Sequence, residues 1–171
     1  MSATEARVKD FLADPRVQGL LSDNNLFEVY TLFEEEISAP RGRYPSELTD
    51  FFIDHNINVF DYMDTIIEGM FAGTDVKEVT VPGKIKVLSL DTFYICRLLK
   101  EVILEEGVEE IEKEAFVGCP SLEKLILPKS IKYIAEPAFL NCGEFTVYCY
   151  ENTYAHEWAE NVYGAHVILL N

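Results

Sequence analysis

VKEVTVPGKIKVLSLDTFYICRL from Val76, LKEVILEEGVEEIEKEAFVGCPS from Leu99 and LEKLILPKSIKYIAEPAFLNCGE from Leu122 align without a gap, so the chain repeats itself every 23 residues. The apolar columns are Val76, Leu99, Leu122; Val79, Val102, Leu125; Val81, Leu104, Leu127; Ile85, Val108, Ile131; Leu88, Ile111, Ile134; and Phe93, Phe116, Phe139. Cys96, Cys119 and Cys142 follow as a column of their own. A unit this short buries too little apolar surface to fold alone, so neighbours must stack and share one core. Alternation at Val102 and Leu104 marks a short strand with one face inward, and Pro82-Gly83 and Pro128-Lys129-Ser130 turn the chain at its end. The expected fold is therefore an α+β repeat solenoid with parallel strands.

An incomplete fourth unit is expected from Phe145, with Tyr148, Tyr150 and Tyr154 on the established columns and Cys149 outward and exposed. Met70 to Asp75 leaves room for a degenerate leading unit, in which Gly73 falls where the Cys column would continue.

The stretch Glu114-Ala115-Phe116-Val117-Gly118-Cys119-Pro120-Ser121-Leu122 resembles the A-F-x-G-C-x-S-L signature of BspA-type leucine-rich repeats. Asn152 to Asn161, with Thr153-Tyr154-Ala155 and Trp158-Ala159, is similar to the segment that closes such arrays. The likeness covers about residues 76–171 and implies a short right-handed array that binds proteins, often at cell surfaces. Thr92 in place of Ala and Glu105-Glu106 in place of Pro depart from the pattern.

Before Val76 the apolar period is helical. Ser2 with Glu5 makes a capping box, Asp14-Pro15 a cap with an N1 proline, and Asn24 or Asn25 opens a helix that runs to Pro40. Ala39 to Pro45 reads as an exposed loop, Ser46 caps a helix to His55, and Asn58 caps one from Val59 to about Phe71. We expect an α-helical N-terminal capping region over 1–73 and a leucine-rich-repeat array over 74–171, with units from 76, 99, 122 and in part 145, ending in a C-terminal cap around Trp158. The N-terminal stretches Asp14-Pro15-Arg16-Val17, Glu47-Leu48-Thr49 and Asn56-Ile57-Asn58 are similar to helical leaders of repeat proteins encoded by phages and prophages.

Chemistry-bearing motifs are sparse. The Cys column would place thiols about 4.8 Å apart along one edge, without a C-x-x-C pair or adjacent His, which reads as buried filler bonded to backbone. His55, His156 and His166 lie on different elements, and no phosphate-binding glycine motif occurs. No catalytic residue, metal site or cofactor is assigned, and the expectation is a non-enzymatic chain.

Across 171 residues, 14 Lys and Arg face 30 Asp and Glu, a net charge of −16, which repels nucleic acid and anionic lipid. No apolar run suits a membrane span and no signal-peptide core opens the chain, so the expectation is a cytoplasmic protein with a protein partner. Two surfaces are candidates. If Val79 and Val81 point inward, Thr80, Ile103 and Ile126 form an outward stripe between Glu78, Glu101, Lys124 and Lys77, Lys100, Glu123. Glu105, Glu106, Glu109 and Glu110 form an acidic patch, which suits a decoy that blocks a nucleic-acid-binding protein. A fragment of a cell-surface adhesion protein is the third alternative.

Overall fold

The structure, a computed structural model, describes residues 3–23, 25–36, 46–66, 68–162 and 164–171. They form two compact units, Met1–Asp64 and Thr65–Asn171. Ser2, Asn24, Ile37, Ile67 and the expected loop from Ala39 to Pro45 lie outside the described residues.

The first unit is helical: α1 Ala3–Leu12, α2 Pro15–Ser22, α3 Leu26–Glu36, α4 Ser46–Asp54 and a single 3₁₀ turn over Val59–Tyr62. Its starts follow from short polar side chains that satisfy orphan N–H groups. Asp14 accepts from the Arg16 N–H at 2.8 Å, Asn25 from Glu28 at 3.3 Å and Asn58 from Phe60 at 3.2 Å. Phe11 meets Phe33 edge-on at 5.2 Å, and the buried Tyr30 hydroxyl bonds Thr49 at 2.6 Å. Burial raises the Tyr30 pKa above its ordinary value, so the phenol stays neutral.

The helix expected from Val59 to about Phe71 is corrected: helical turns end at Tyr62 and Met63 is extended. Backbone pairing overrides the local period. Gly69 donates to Leu90, Phe71 to Thr92 and Gly73 to Tyr94 at 2.8 to 3.1 Å, bonds that an α-helix over these residues would forfeit.

In the second unit the strands are β1 Glu78–Val81, β2 Val87–Leu88, β3 Glu101–Leu104, β4 Glu110–Ile111, β5 Lys124–Ile126, β6 Tyr133–Ile134, β7 Phe145–Tyr150 and β8 Ala165–Leu170, with α5 Tyr154–Asn161 before the last. The long strands form one parallel sheet, in order β1-β3-β5-β7-β8, and the short ones a second, β2-β4-β6. A third line of bonds joins the units at their remaining side, where Phe93 donates to Ala115 and Phe116 to Ala138 at 2.7 and 2.9 Å. Each unit thus satisfies its neighbour's backbone on three sides, which lets a segment with no sheet or helix of its own be buried.

Between these ladders runs a column of rings. Phe71, Phe93, Phe116 and Phe139 stack at successive centroid distances of 4.9, 5.1 and 4.8 Å, and Phe145 and Trp158 close on Phe139 at 5.5 and 5.2 Å. Phe71 stands 22 residues before Phe93, so the leading segment is one residue short of the repeat spacing. Thr74, not Gly73, therefore continues the Cys column, with its hydroxyl donating to the Phe71 carbonyl at 2.8 Å. Cys96 donates to that same carbonyl at 2.8 Å, Cys119 to Phe93 at 3.1 Å and Cys142 to Phe116 at 3.1 Å. Every thiol in the column ties its unit to the ring position before it.

All four cysteines are free, and Cys96, Cys119 and Cys149 are fully buried. A hydrogen bond with Cys142, together with burial, pushes the Cys119 thiol up, and burial does the same for Cys149. Thiol titration of the unreduced protein is expected to find four reactive groups after denaturation and slow reaction of these three before it. Fewer than four in the denatured chain would mean that the column is crosslinked.

Candidate functional site

The pairing of β1, β3 and β5 sets which side chains meet. Glu78, Glu101 and Lys124 stand side by side, as do Val79, Val102 and Leu125, and Thr80, Ile103 and Ile126. Val102 and Leu125 are fully buried and Val79 nearly so, which puts the alternate positions on the outer face by the period of two in a strand. Thr80 is exposed, while Ile103 and Ile126 are half-buried. Their neighbours on the flanking columns are drawn into cross-strand ion pairs. Lys124 holds Glu101 at 2.8 Å and Lys100 holds Glu123 at 2.9 Å, and each lysine's pKa is raised, chiefly by that hydrogen bond. Pairs this exposed are screened by solvent and add little stability. Their effect on the face is to cancel charge beside the stripe. Lys77 and Glu78 are exposed at the β1 edge.

At β7 the expected columns shift by one residue. Leu125 pairs with Val147 and Ile126 with Tyr148, so Val147, not Tyr148, continues the inward column. Phe145, Val147 and Cys149 are buried and Thr146, Tyr148 and Tyr150 half-buried. The expectation that Cys149 is outward and exposed is thereby overturned. The spacing from Ile126 to Tyr148 is 22, not 23, and because side chains alternate, a slip of one exchanges the faces of the whole strand. The same correction adds residues to the outer face. Tyr148 stands beside Ile126, Ile168 of β8 stands beside Tyr148, and Ile168 is 46% exposed. The Lys124 ammonium lies 5.7 Å from the Tyr148 ring centroid. Thr80, Ile103, Ile126, Tyr148 and Ile168 thus make one continuous outward row across all five strands.

The acidic residues divide by what they bond. Glu109 pairs with Lys132, which lowers its pKa, Glu106 accepts from the Lys129 N–H at 3.1 Å and Glu112 from the Leu90 N–H at 2.9 Å. Glu105 and Glu110 are exposed. Part of the patch therefore braces adjacent units.

Histidines fall apart in space. His55 stacks on Phe51 at 3.9 Å, His156 lies 3.5 Å from Glu160 and His166 lies 3.8 Å from Glu144. Among the described residues no three His, Cys, Asp or Glu side chains are placed to hold a metal ion, and no helix is long and apolar enough to cross a membrane.

Residues 50–155 match the family described as BspA type leucine rich repeat region (6 copies). The chain belongs to this family. The matched stretch takes in β1 to β7 of the leucine-rich-repeat chain and stops at the start of α5. Among solved structures, the chain is similar to the crystal structure of the pneumococcal vaccine antigen PcpA, at 25% identity and a TM-score of 0.44 over 50% of this chain. The similarity covers 22% of that protein, so this chain spans only a small part of its length. No curated protein matches the chain.

Proposed function

We propose that this leucine-rich-repeat chain is a non-enzymatic protein-interaction module acting in the cytoplasm. It is a short right-handed solenoid with a period of 23, preceded by the helical segment up to Tyr62 as its N-terminal cap and closed by the segment around Trp158. The row Thr80, Ile103, Ile126, Tyr148 and Ile168 carries this proposal. Apolar and aromatic side chains at the centre of a patch supply most of an interface's energy, and here they are framed by Lys77, Glu78, Lys100, Glu101, Glu123 and Lys124. Membership in a family of repeat modules supports a binding role over a catalytic one.

The salt response separates this proposal from the acidic decoy. At about 1 M salt the Debye length falls to about 3 Å, so attraction through Glu105, Glu106, Glu109 and Glu110 fades while apolar contact persists. Immobilised protein is expected to retain one defined partner from low to high salt. Loss of all captured protein on raising the salt, with nucleic-acid-binding proteins in the eluate, would contradict the apolar face.

A further inference from the structure

A cleft of about 380 Å³ opens beside α5, lined by Ile134, Glu136, Tyr154, Glu157, Trp158, Asn161 and Val162. Its size is that of a site for a small ligand or a single side chain. The walls are held in place. The Tyr154 hydroxyl accepts from the Ile134 N–H at 3.2 Å, Trp158 packs against Phe139 at 5.2 Å, and the Asn161 amide donates to the Glu157 carbonyl at 2.6 Å. Trp158 is half-buried, leaving part of the indole to solvent, and Tyr154 is 38% exposed.

The charge in this cleft is one-sided. Glu136 and Glu157 are both exposed, and among the described residues no Lys or Arg lines the cleft and neither carboxylate makes an ion pair. Glu101, Glu109 and Glu123 on the strands, by contrast, each have a lysine. Two carboxylates without a cation among the described residues, beside a half-buried indole, are the complement of a planar guanidinium, which stacks on an aromatic ring and bonds carboxylates with its fork of N–H groups. An overall charge of −16 steers basic ligands toward it.

We infer that the cleft at α5 receives an arginine side chain of a basic protein segment, with Trp158 as the stacking surface and Glu136 and Glu157 as the counter-charges. An ammonium is a compact point charge without a plane to lay on the indole, so lysine fits the same cleft less well. The inference does not rest on the strand face, and a short peptide probe keeps the two separable.

Trp158 is the sole tryptophan, so its fluorescence reports occupancy. An acetylated and amidated Gly-Arg-Gly peptide is expected to give a saturable change in that fluorescence, with a matching calorimetric titration. The citrulline counterpart, which keeps the shape and loses the charge, should bind at least about tenfold more weakly, and the lysine peptide should fall between them. Glu136→Gln with Glu157→Gln should lower arginine-peptide affinity about tenfold and flatten its salt dependence, at an unchanged unfolding temperature because both side chains are exposed. Equal binding of the citrulline peptide, equal binding of the lysine peptide, wild-type affinity in the double variant, or no saturable response would each overturn the assignment.

Discussion

Phe116→Ala is expected to destabilise the protein by about 3–5 kcal/mol in urea unfolding. Phe116 is fully buried at the middle of the ring column, with Phe93 at 5.1 Å on one side and Phe139 at 4.8 Å on the other. Truncation removes the transfer free energy of one ring and two stacked contacts, each worth about 0.5–1.5 kcal/mol beyond burial. The neighbours cannot collapse into the void, because each ring belongs to a segment fixed by backbone bonds such as Phe93 to Ala115 and Phe116 to Ala138. A loss below about 1 kcal/mol would show that the units do not share this column.

Gly83→Ala is expected to be nearly as damaging, for a steric reason. A Cβ on Gly83 would stand 1.9 Å from the Glu106 carbonyl oxygen and 2.8 Å from its carbon. These are backbone atoms of the adjacent unit, and the facing Gly107, with a φ of +114°, has the reciprocal problem at 2.5 Å from the Gly83 oxygen. Lys86 clasps the same place, donating to the Gly83 and Gly107 carbonyls at 2.9 and 3.1 Å. Overpacking against backbone belongs at the upper end of the usual range, about 3 kcal/mol. Gly19 in α2 is the control: nothing lies within 4 Å of its Cβ position, so Gly19→Ala should stabilise by up to about 1 kcal/mol. Thermal unfolding of the two variants should move in opposite directions, and equal shifts would refute the close approach of the two units at Gly83.

These effects also explain what could be read from the sequence. The Phe and Cys columns were legible because each member meets its own equivalent, so one chemical requirement is written several times. Helix starts at Asp14, Asn25 and Asn58 were legible because a cap is a local bond. The stretch after Tyr62 was legible only in part: room for a leading unit showed from Met70, but the local period also suggested a helix to Phe71, and no local period records that Gly69, Phe71 and Gly73 pair with residues 21 positions ahead. The slip at β7 has the same origin: one residue fewer in a connection leaves composition unchanged yet moves Cys149 inward and Tyr148 outward. Ile95 makes the point most sharply. Its φ of +58° is unfavourable for a β-branched side chain, yet it falls between Gly73 and Gly118, which hold +71° and +74° at the equivalent turns. Stacking imposes that turn, whatever residue stands there. The cleft at α5 gathers residues from β6, the turn after it and α5, with no motif of its own.

The outward row itself is tested most directly by a substitution that removes its apolar centre and keeps its strands. Ile103 and Ile126 are direct cross-strand neighbours, so Ile103→Lys with Ile126→Glu replaces an apolar pair by an opposite-charge pair in a geometry that sheets tolerate. Both positions are half-buried, so the unfolding temperature should fall by less than about 4 °C, the equivalent of about 1 kcal/mol. Affinity for the captured partner, measured with the purified pair, should drop at least about 100-fold, as loss of central apolar contacts does. Wild-type affinity in a folded variant would contradict the binding face, and an unfolded variant would show that the row is core.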